Sequence, residues 1–128
     1  MHEPSRIDPA RLEVLGRVRE IEIETASPDG ATAHRTIIWI VTAGDHVYVR
    51  SVNGTPARWY REALAHPDVV VHAEGAAIPM TAVPANDAQS IQVVSDAFRS
   101  KYGKISRSST ESMVQPHTLE TTIRLDPR

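Results

Sequence analysis

One short stretch collects the residue types that hold oxyanions: Arg50-Ser51-Val52-Asn53-Gly54-Thr55-Pro56-Ala57-Arg58-Trp59-Tyr60-Arg61. A guanidinium offers paired donors to phosphate or carboxylate oxygens. Thr55 suits a helix N-cap and Pro56 a first helical position, where a missing N–H costs nothing. Gly54 lets the backbone come close to a ligand. Unpaired N–H groups at a helix start, with the positive end of the helix dipole, favour an anion there. This stretch can therefore seat a phosphate. The same residues also describe an ordinary strand-to-helix turn with its arginines in water.

A second pair with oxyanion chemistry is Arg35-Thr36 at the start of an apolar run. If that run and Val47–Arg50 form a hairpin, the start of one strand lies beside the end of the other, and Arg35 and Thr36 come close to Arg50 and Ser51. Trp39 and Trp59 flank this corner in sequence, so a planar phosphorylated ligand would find donors at one end and aromatic surface at the other. Core packing explains the tryptophans equally well.

Other chemistries find no support. Six histidines, at 2, 34, 46, 66, 72 and 117, include no pair at i, i+4, no HxH and no HExxH, so no metal site is expected. No GxSxG elbow, GxGxxG fingerprint or GxxxxGK loop occurs. Glu20, Glu22 and Glu24 alternate along one strand and read as a solvated face. With no cysteine, disulfides and thiolate nucleophiles are excluded.

The 128 residues, 41% hydrophobic, suit one modest core. A net charge of −2 and a pI near 6.3 provide no global positive field for nucleic acid. No signal-peptide pattern and no apolar run of membrane-spanning length occurs, so a cytoplasmic protein without membrane or nucleic-acid partners is expected.

The elements that must position these residues follow in order. Asp8 to Gly16 reads as a short helix, giving an N-terminal strap over 1–16 and a single domain over 17–126. Alternation predicts a strand over Arg17–Thr25. His34–Thr42 reads as one strand apolar on both faces, followed by a turn at Ala43–His46 and a strand to Arg50. A helix is predicted over Pro56–Ala65, then strands over Val69–Ala73 and Ala77–Val83, with Pro79 suggesting an edge or a bulge. Ile91, Val94, Phe98 and Tyr102 mark a helix over Asp87–Tyr102. Lys104–Pro116 reads as a mobile polar loop and Thr118–Asp126 as the last strand. Six strands joined mainly by hairpins, with interposed helices, predict a mainly β, antiparallel barrel.

His34-Arg35-Thr36-Ile37-Ile38-Trp39-Ile40-Val41, Gly44-Asp45-His46-Val47-Tyr48-Val49-Arg50-Ser51, Gly54-Thr55-Pro56-Ala57-Arg58-Trp59-Tyr60 and Ala65-His66-Pro67-Asp68-Val69 together resemble the FMN-binding split β-barrel superfamily. The likeness is to its small uncharacterised bacterial members related to deazaflavin-dependent nitroreductases, and it spans about residues 17 to 126. The resemblance implies a six-stranded split barrel, a homodimer, and FMN or a deazaflavin coenzyme of the F-420 type. It assigns the cofactor to Arg35, Thr36, Arg50, Ser51, Val52, Asn53, Gly54, Thr55, Arg58 and Trp59, with Ile37, Ile38 and Trp39 along the ring. Relatives often carry a lysine where this chain has Val52-Asn53 and a proline where it has Ile37-Ile38. The implied activity is hydride transfer between the cofactor and a small organic substrate; the resemblance assigns no catalytic residue, and Tyr48, Tyr60 and His34 are candidates for donating or relaying a proton only as polar side chains able to face the groove. The alternatives are a non-redox cofactor carrier and a cofactor-free barrel acting on another small molecule.

Overall fold

A computed structural model describes residues 7–128; the first six residues of the expected strap, Met1 to Arg6, lie outside the described residues. The elements are α1 (Pro9–Arg17), β1 (Ile21–Ala26), β2 (Ala33–Ile38), β3 (Val41–Ala43), β4 (His46–Val49), α2 (Arg58–Ala65), β5 (Asp68–Ala73), β6 (Ala76–Pro84), α3 (Ala88–Tyr102), α4 (Arg107–Ser112), α5 (Pro116–Leu119) and β7 (Ile123–Pro127).

All seven strands join one antiparallel sheet in the order β2-β1-β5-β6-β7-β4-β3. Its two edge strands, β2 and β3, are consecutive in the chain and separated only by Trp39 and Ile40. A link that short spans roughly 10 Å at most, so the sheet must curl until its edges meet. The result is a barrel closed by a seam at Trp39-Ile40.

The seam accounts for the seventh strand. The single strand expected over His34–Thr42 is broken at Trp39-Ile40, because one half pairs with β1 and the other with β4. Nor is it buried on both faces. Thr36 and Ile38 stand opposite Ile23 and Ile21 on the inner face, while Arg35 and Ile37 stand opposite Glu24 and Glu22 on the outer one, and Ile37 is 64% exposed.

Backbone groups freed at the seam are satisfied from the end of α3. The Tyr102 hydroxyl accepts from the Ile40 N–H at 3.2 Å and donates to the Arg19 carbonyl at 2.7 Å. Lys101 Nζ donates to the carbonyls of Leu15 and Ile40, which also fastens α1. Burial pushes the Lys101 ammonium down to about 8. The Trp39 ring lies flat on Tyr102, centroids 3.8 Å apart and planes 6° from parallel. Trp39 is therefore a packing residue of the seam.

Two apolar clusters result. One fills the barrel with Ile21, Ile23, Val47, Val49, Val71, Met80, Ile123 and Leu125, and α2 adds Trp59, Tyr60 and Ala63. The other joins Val94, Phe98 and Tyr102 of α3 to Val41 and Tyr48. The helical spacing of Val94, Phe98 and Tyr102 dictates that face, and Asp87 caps α3 by accepting from the Ser90 N–H.

Several local expectations change. Residues 104–116, expected as a mobile loop, hold α4, whose N-cap Ser106 accepts from the Ser109 N–H. The expected last strand loses Thr118 and Leu119 to α5, and β7 begins at Ile123. Pro79 stands in a central strand, not at an edge: its carbonyl accepts from the Arg128 N–H, so its missing N–H falls at the end of the β6–β7 ladder. Gly16 does not end α1, which continues to Arg17. No helix among the described residues is long and apolar enough to cross a membrane.

Candidate functional site

A half-open cavity of about 380 Å³ lies at the barrel seam. One wall is the end of β2 and the seam itself, Thr36 to Trp39; another is the segment leaving β4, Arg50 to Asn53; Trp59 of α2 also lines it. Glu20, Ser109, Ser112 and Met113 complete it. The predicted hairpin geometry that would bring Arg35-Thr36 to Arg50-Ser51 is replaced by a different one. β2 pairs with β1, and barrel closure brings Thr36 and Arg50 to the same cavity.

Arg50 is 1% exposed. Its Nε donates to Thr122 Oγ1 at 2.9 Å, its Nη1 to Ser95 Oγ at 2.9 Å and to the Met113 carbonyl at 3.1 Å, and its Nη2 to the Ile91 carbonyl at 2.8 Å. Four of the five N–H groups of a guanidinium are thus held by the protein, and the group sits 5.6 Å from the Phe98 centroid. No carboxylate among the described residues lies within ion-pair distance of it. Burial, with the like charge of Arg99, pushes Arg50 down to about 10, so it remains a cation at neutral pH. Arg50 is therefore not the free anion fork expected from sequence. It is a fixed positive charge set in the cavity wall.

The loop after it is tightly built. The Ser51 N–H donates to Thr121 Oγ1, the Ser51 hydroxyl donates to the Gly54 carbonyl, and the Gly54 N–H donates to the Ser51 carbonyl. Gly54 has φ +75°, and a Cβ there would meet the His117 carbonyl at 3.1 Å, so only glycine fits without strain. His117 Nε2 donates to the Val52 carbonyl at 3.0 Å. These bonds use the N–H groups of Ser51 and Gly54, while those of Val52 and Asn53 make no bond among the described residues.

Of the residues expected to hold a ligand, Thr36, Ile37, Ile38, Trp39, Arg50, Ser51, Val52, Asn53 and Trp59 line the cavity. Arg35, Gly54, Thr55 and Arg58 do not. Arg35 points to the outer face of β2, where it pairs with Glu24 at 3.6 Å. Thr55 and Pro56 belong to a turn, since α2 starts at Arg58 with Ala57 as its N-cap and no side-chain cap bond. Arg58 opens the helix but is exposed outside the cavity. Tyr48 and Tyr60 are buried, and burial raises both hydroxyls above their ordinary value. His34 lies one inward position before Thr36 and bonds to Glu62 instead of the cavity.

Sequence reasoning missed Glu20, which precedes β1 and reaches the cavity, and also Ser109, Ser112 and Met113. A serine-rich stretch carries no apolar periodicity. The one usable signal was Ser106 three residues before Ser109, an N-cap pattern. Among the described residues no three His, Cys, Asp or Glu side chains gather as metal ligands.

A family model described as "Uncharacterized protein conserved in bacteria (DUF2255)" matches residues 11–125. The sequence matches no curated protein. Among solved structures, the conserved hypothetical protein Rv2991 from Mycobacterium tuberculosis superimposes with a TM-score of 0.74 at 13% identity, over 100% of this chain and 85% of that one. An FAD-binding protein from Mesorhizobium loti gives 0.63 at 15% identity, over 93% and 86%. An F420-H2 dependent reductase gives 0.62 at 13% identity, over 84% and 94%. At such identities the likeness shows the fold, which is that of the FMN-binding split barrels. Matched along nearly its whole length, the chain belongs to the DUF2255 family of proteins conserved in bacteria.

Proposed function

We propose that the seam cavity binds a phosphate-bearing flavin or deazaflavin coenzyme and that the protein is a cytoplasmic, homodimeric oxidoreductase acting on a small organic substrate. The observation that carries this reading is Arg50, a buried cation in the cavity wall with no carboxylate partner among the described residues. A charge held in low dielectric without a counter-ion favours an anionic occupant. The residues present fit such a group. The cavity volume falls within the range of small-molecule sites, about 300–1,000 Å³. The unbonded N–H groups of Val52 and Asn53, the Thr36 hydroxyl and the Arg50 charge would hold the phosphate. Trp39, Ile38 and Trp59 provide apolar surface for a ring. When bound, the cofactor supplies the hydride chemistry. The chain's own residues fix its orientation and shield the ring from water.

Two structural neighbours described as FAD-binding and as F420-H2 dependent support this reading, although one fold carries many functions and the site must decide. A second reading, a carrier without turnover, draws on the cavity lining. Apart from Arg50 and Glu20 it offers no ionisable side chain to move a proton.

The purified protein should quench its tryptophan fluorescence on titration with FMN or with the deazaflavin coenzyme. Thr36→Val should weaken that binding about threefold to tenfold, the loss of one hydrogen bond worth about 0.5–1.5 kcal/mol, while Arg58→Ala should leave it unchanged. Failure of both cofactors to bind at tens of micromolar would overturn the proposal. The dimer is supported by Ile37, 64% exposed on an edge strand beside the cavity. Sedimentation at the mass of a single chain would remove it.

A further inference from the structure

Two side chains of the cavity lining carry charge, and the fold keeps them apart. Arg50 is 1% exposed and held by four hydrogen bonds, whereas Glu20 is exposed. The cation therefore lies deep in the wall and the carboxylate stands at the mouth.

Glu20 is placed by the seam. Ile21, the first residue of β1, pairs with Ile38, the last of β2, so Glu20 and Trp39 follow at the same end of that ladder. The chain is pinned there, because the Arg19 carbonyl accepts from the Tyr102 hydroxyl at 2.7 Å. Burial chiefly, and then the Glu20 charge, push that hydroxyl up to about 12, which puts the carboxylate on the Trp39–Tyr102 side of the cavity. One face of the Trp39 ring lies on Tyr102, and the residue also lines the cavity. A carboxylate and an indole at one end of a cavity suit a planar organic cation, which the first attracts by charge and the second by its π electrons.

No cation of the chain answers that carboxylate. Glu20 forms no ion pair among the described residues, its neighbour Arg19 included. Burial and the like charge of Arg99 lower Arg50, and burial alone lowers Lys101, so neither stands near enough to neutralise Glu20. Ser112 of α4 adds a second acceptor to the lining. Its hydroxyl donates to the Ser108 carbonyl at 3.1 Å, and a hydroxyl whose proton is so used can only accept from a ligand. We propose that Glu20 is the specificity-determining residue of the seam cavity and selects, as the small organic substrate, a planar cation rich in N–H groups, such as an amidinium. The inference rests on the cavity being the cofactor site, with the phosphate at Arg50 and the mouth left for the substrate.

Benzamidine, benzamide and benzoate share a ring and a planar substituent and carry a positive, no and a negative charge. Their binding to the FMN-saturated protein can be read by NMR from the Trp39 and Trp59 indole resonances. Benzamidine should bind about threefold tighter than benzamide, the effect of one exposed charge pair, with benzoate the weakest. That preference should disappear in Glu20→Gln, and in Glu20→Lys benzoate should lead. It should also shrink in high salt, since an exposed charge is screened, and this wild-type measurement decides should a variant fail to fold. Benzamidine binding no tighter than benzamide, a preference that survives in Glu20→Gln, or no indole shift with any of the three at millimolar concentration overturns the proposal. Equal losses for all three compounds in Glu20→Gln would make Glu20 a structural residue and overturn it as well. If FMN does not bind, the same series on the chain alone separates the two readings: the cofactor reading fails, and a Glu20-dependent preference for benzamidine upholds the selection by charge.

Discussion

Arg50→Leu should destabilise the protein by about 2–4 kcal/mol, measured by urea denaturation, and should detach α4 from the barrel. Two opposing effects set that figure. Removing the guanidinium relieves the penalty of burying an unpaired charge. It also deletes four hydrogen bonds from a charged donor, each worth about 1.5–3 kcal/mol, and leaves space that leucine fills poorly. The bonds prevail because they reach separate pieces: α3 through Ile91 and Ser95, the end of α4 through Met113, and the approach to β7 through Thr122. Amide exchange over residues 107–113 should therefore accelerate more than exchange in β5 or β6. Arg50→Lys should recover only part of the loss, because an ammonium is a point charge and cannot fork to four acceptors. A variant as stable as the wild type would show that desolvation of the charge outweighs its bonds.

Tyr102→Ala should cost about 3–5 kcal/mol, the range for truncating a buried aromatic, and should open the barrel seam. Tyr102 is fully buried between Trp39 and Phe98, and its hydroxyl bridges Ile40 and Arg19. Tyr102→Phe separates these contributions. It keeps the stacking and removes the hydroxyl, leaving the buried Ile40 N–H unsatisfied at about 1–3 kcal/mol. Thermal unfolding followed by tryptophan fluorescence measures both, since Trp39 reports directly on the stack. Equal losses in the two variants would assign the whole effect to the hydroxyl. A Phe variant indistinguishable from wild type would mean that the seam closes through packing alone.

How much of this was legible in the sequence depends on the range of the interaction. The alternation Ile21-Glu22-Ile23-Glu24, the turn at Ala43–His46, and the α3 stripe of Val94, Phe98 and Tyr102 are local patterns, and the corresponding elements formed close to where they were expected. Thr36 and Ser51–Asn53 reached the cavity as well. The broken strand at Trp39-Ile40 was not legible, because an apolar run says that residues are buried and not which neighbours they pair with. The helical character of 107–112 was hidden by serines whose capping role depends on one neighbour three residues away.

The amino-acid sequence alone determined the class of fold, the hairpins, the main helices and the presence of a basic, aromatic corner, because each follows from periodicity, turn chemistry or residue type over a few positions. Only the tertiary structure decided which charges serve that corner. Closure of the sheet turned Arg35 outward onto Glu24, left Arg58 outside the cavity, drew Arg50 into the wall under α4, and paired His34 with Glu62 across 28 residues. The direction of a side chain on a curled sheet depends on register and on where the two edges meet, and neither is a property of the residue itself.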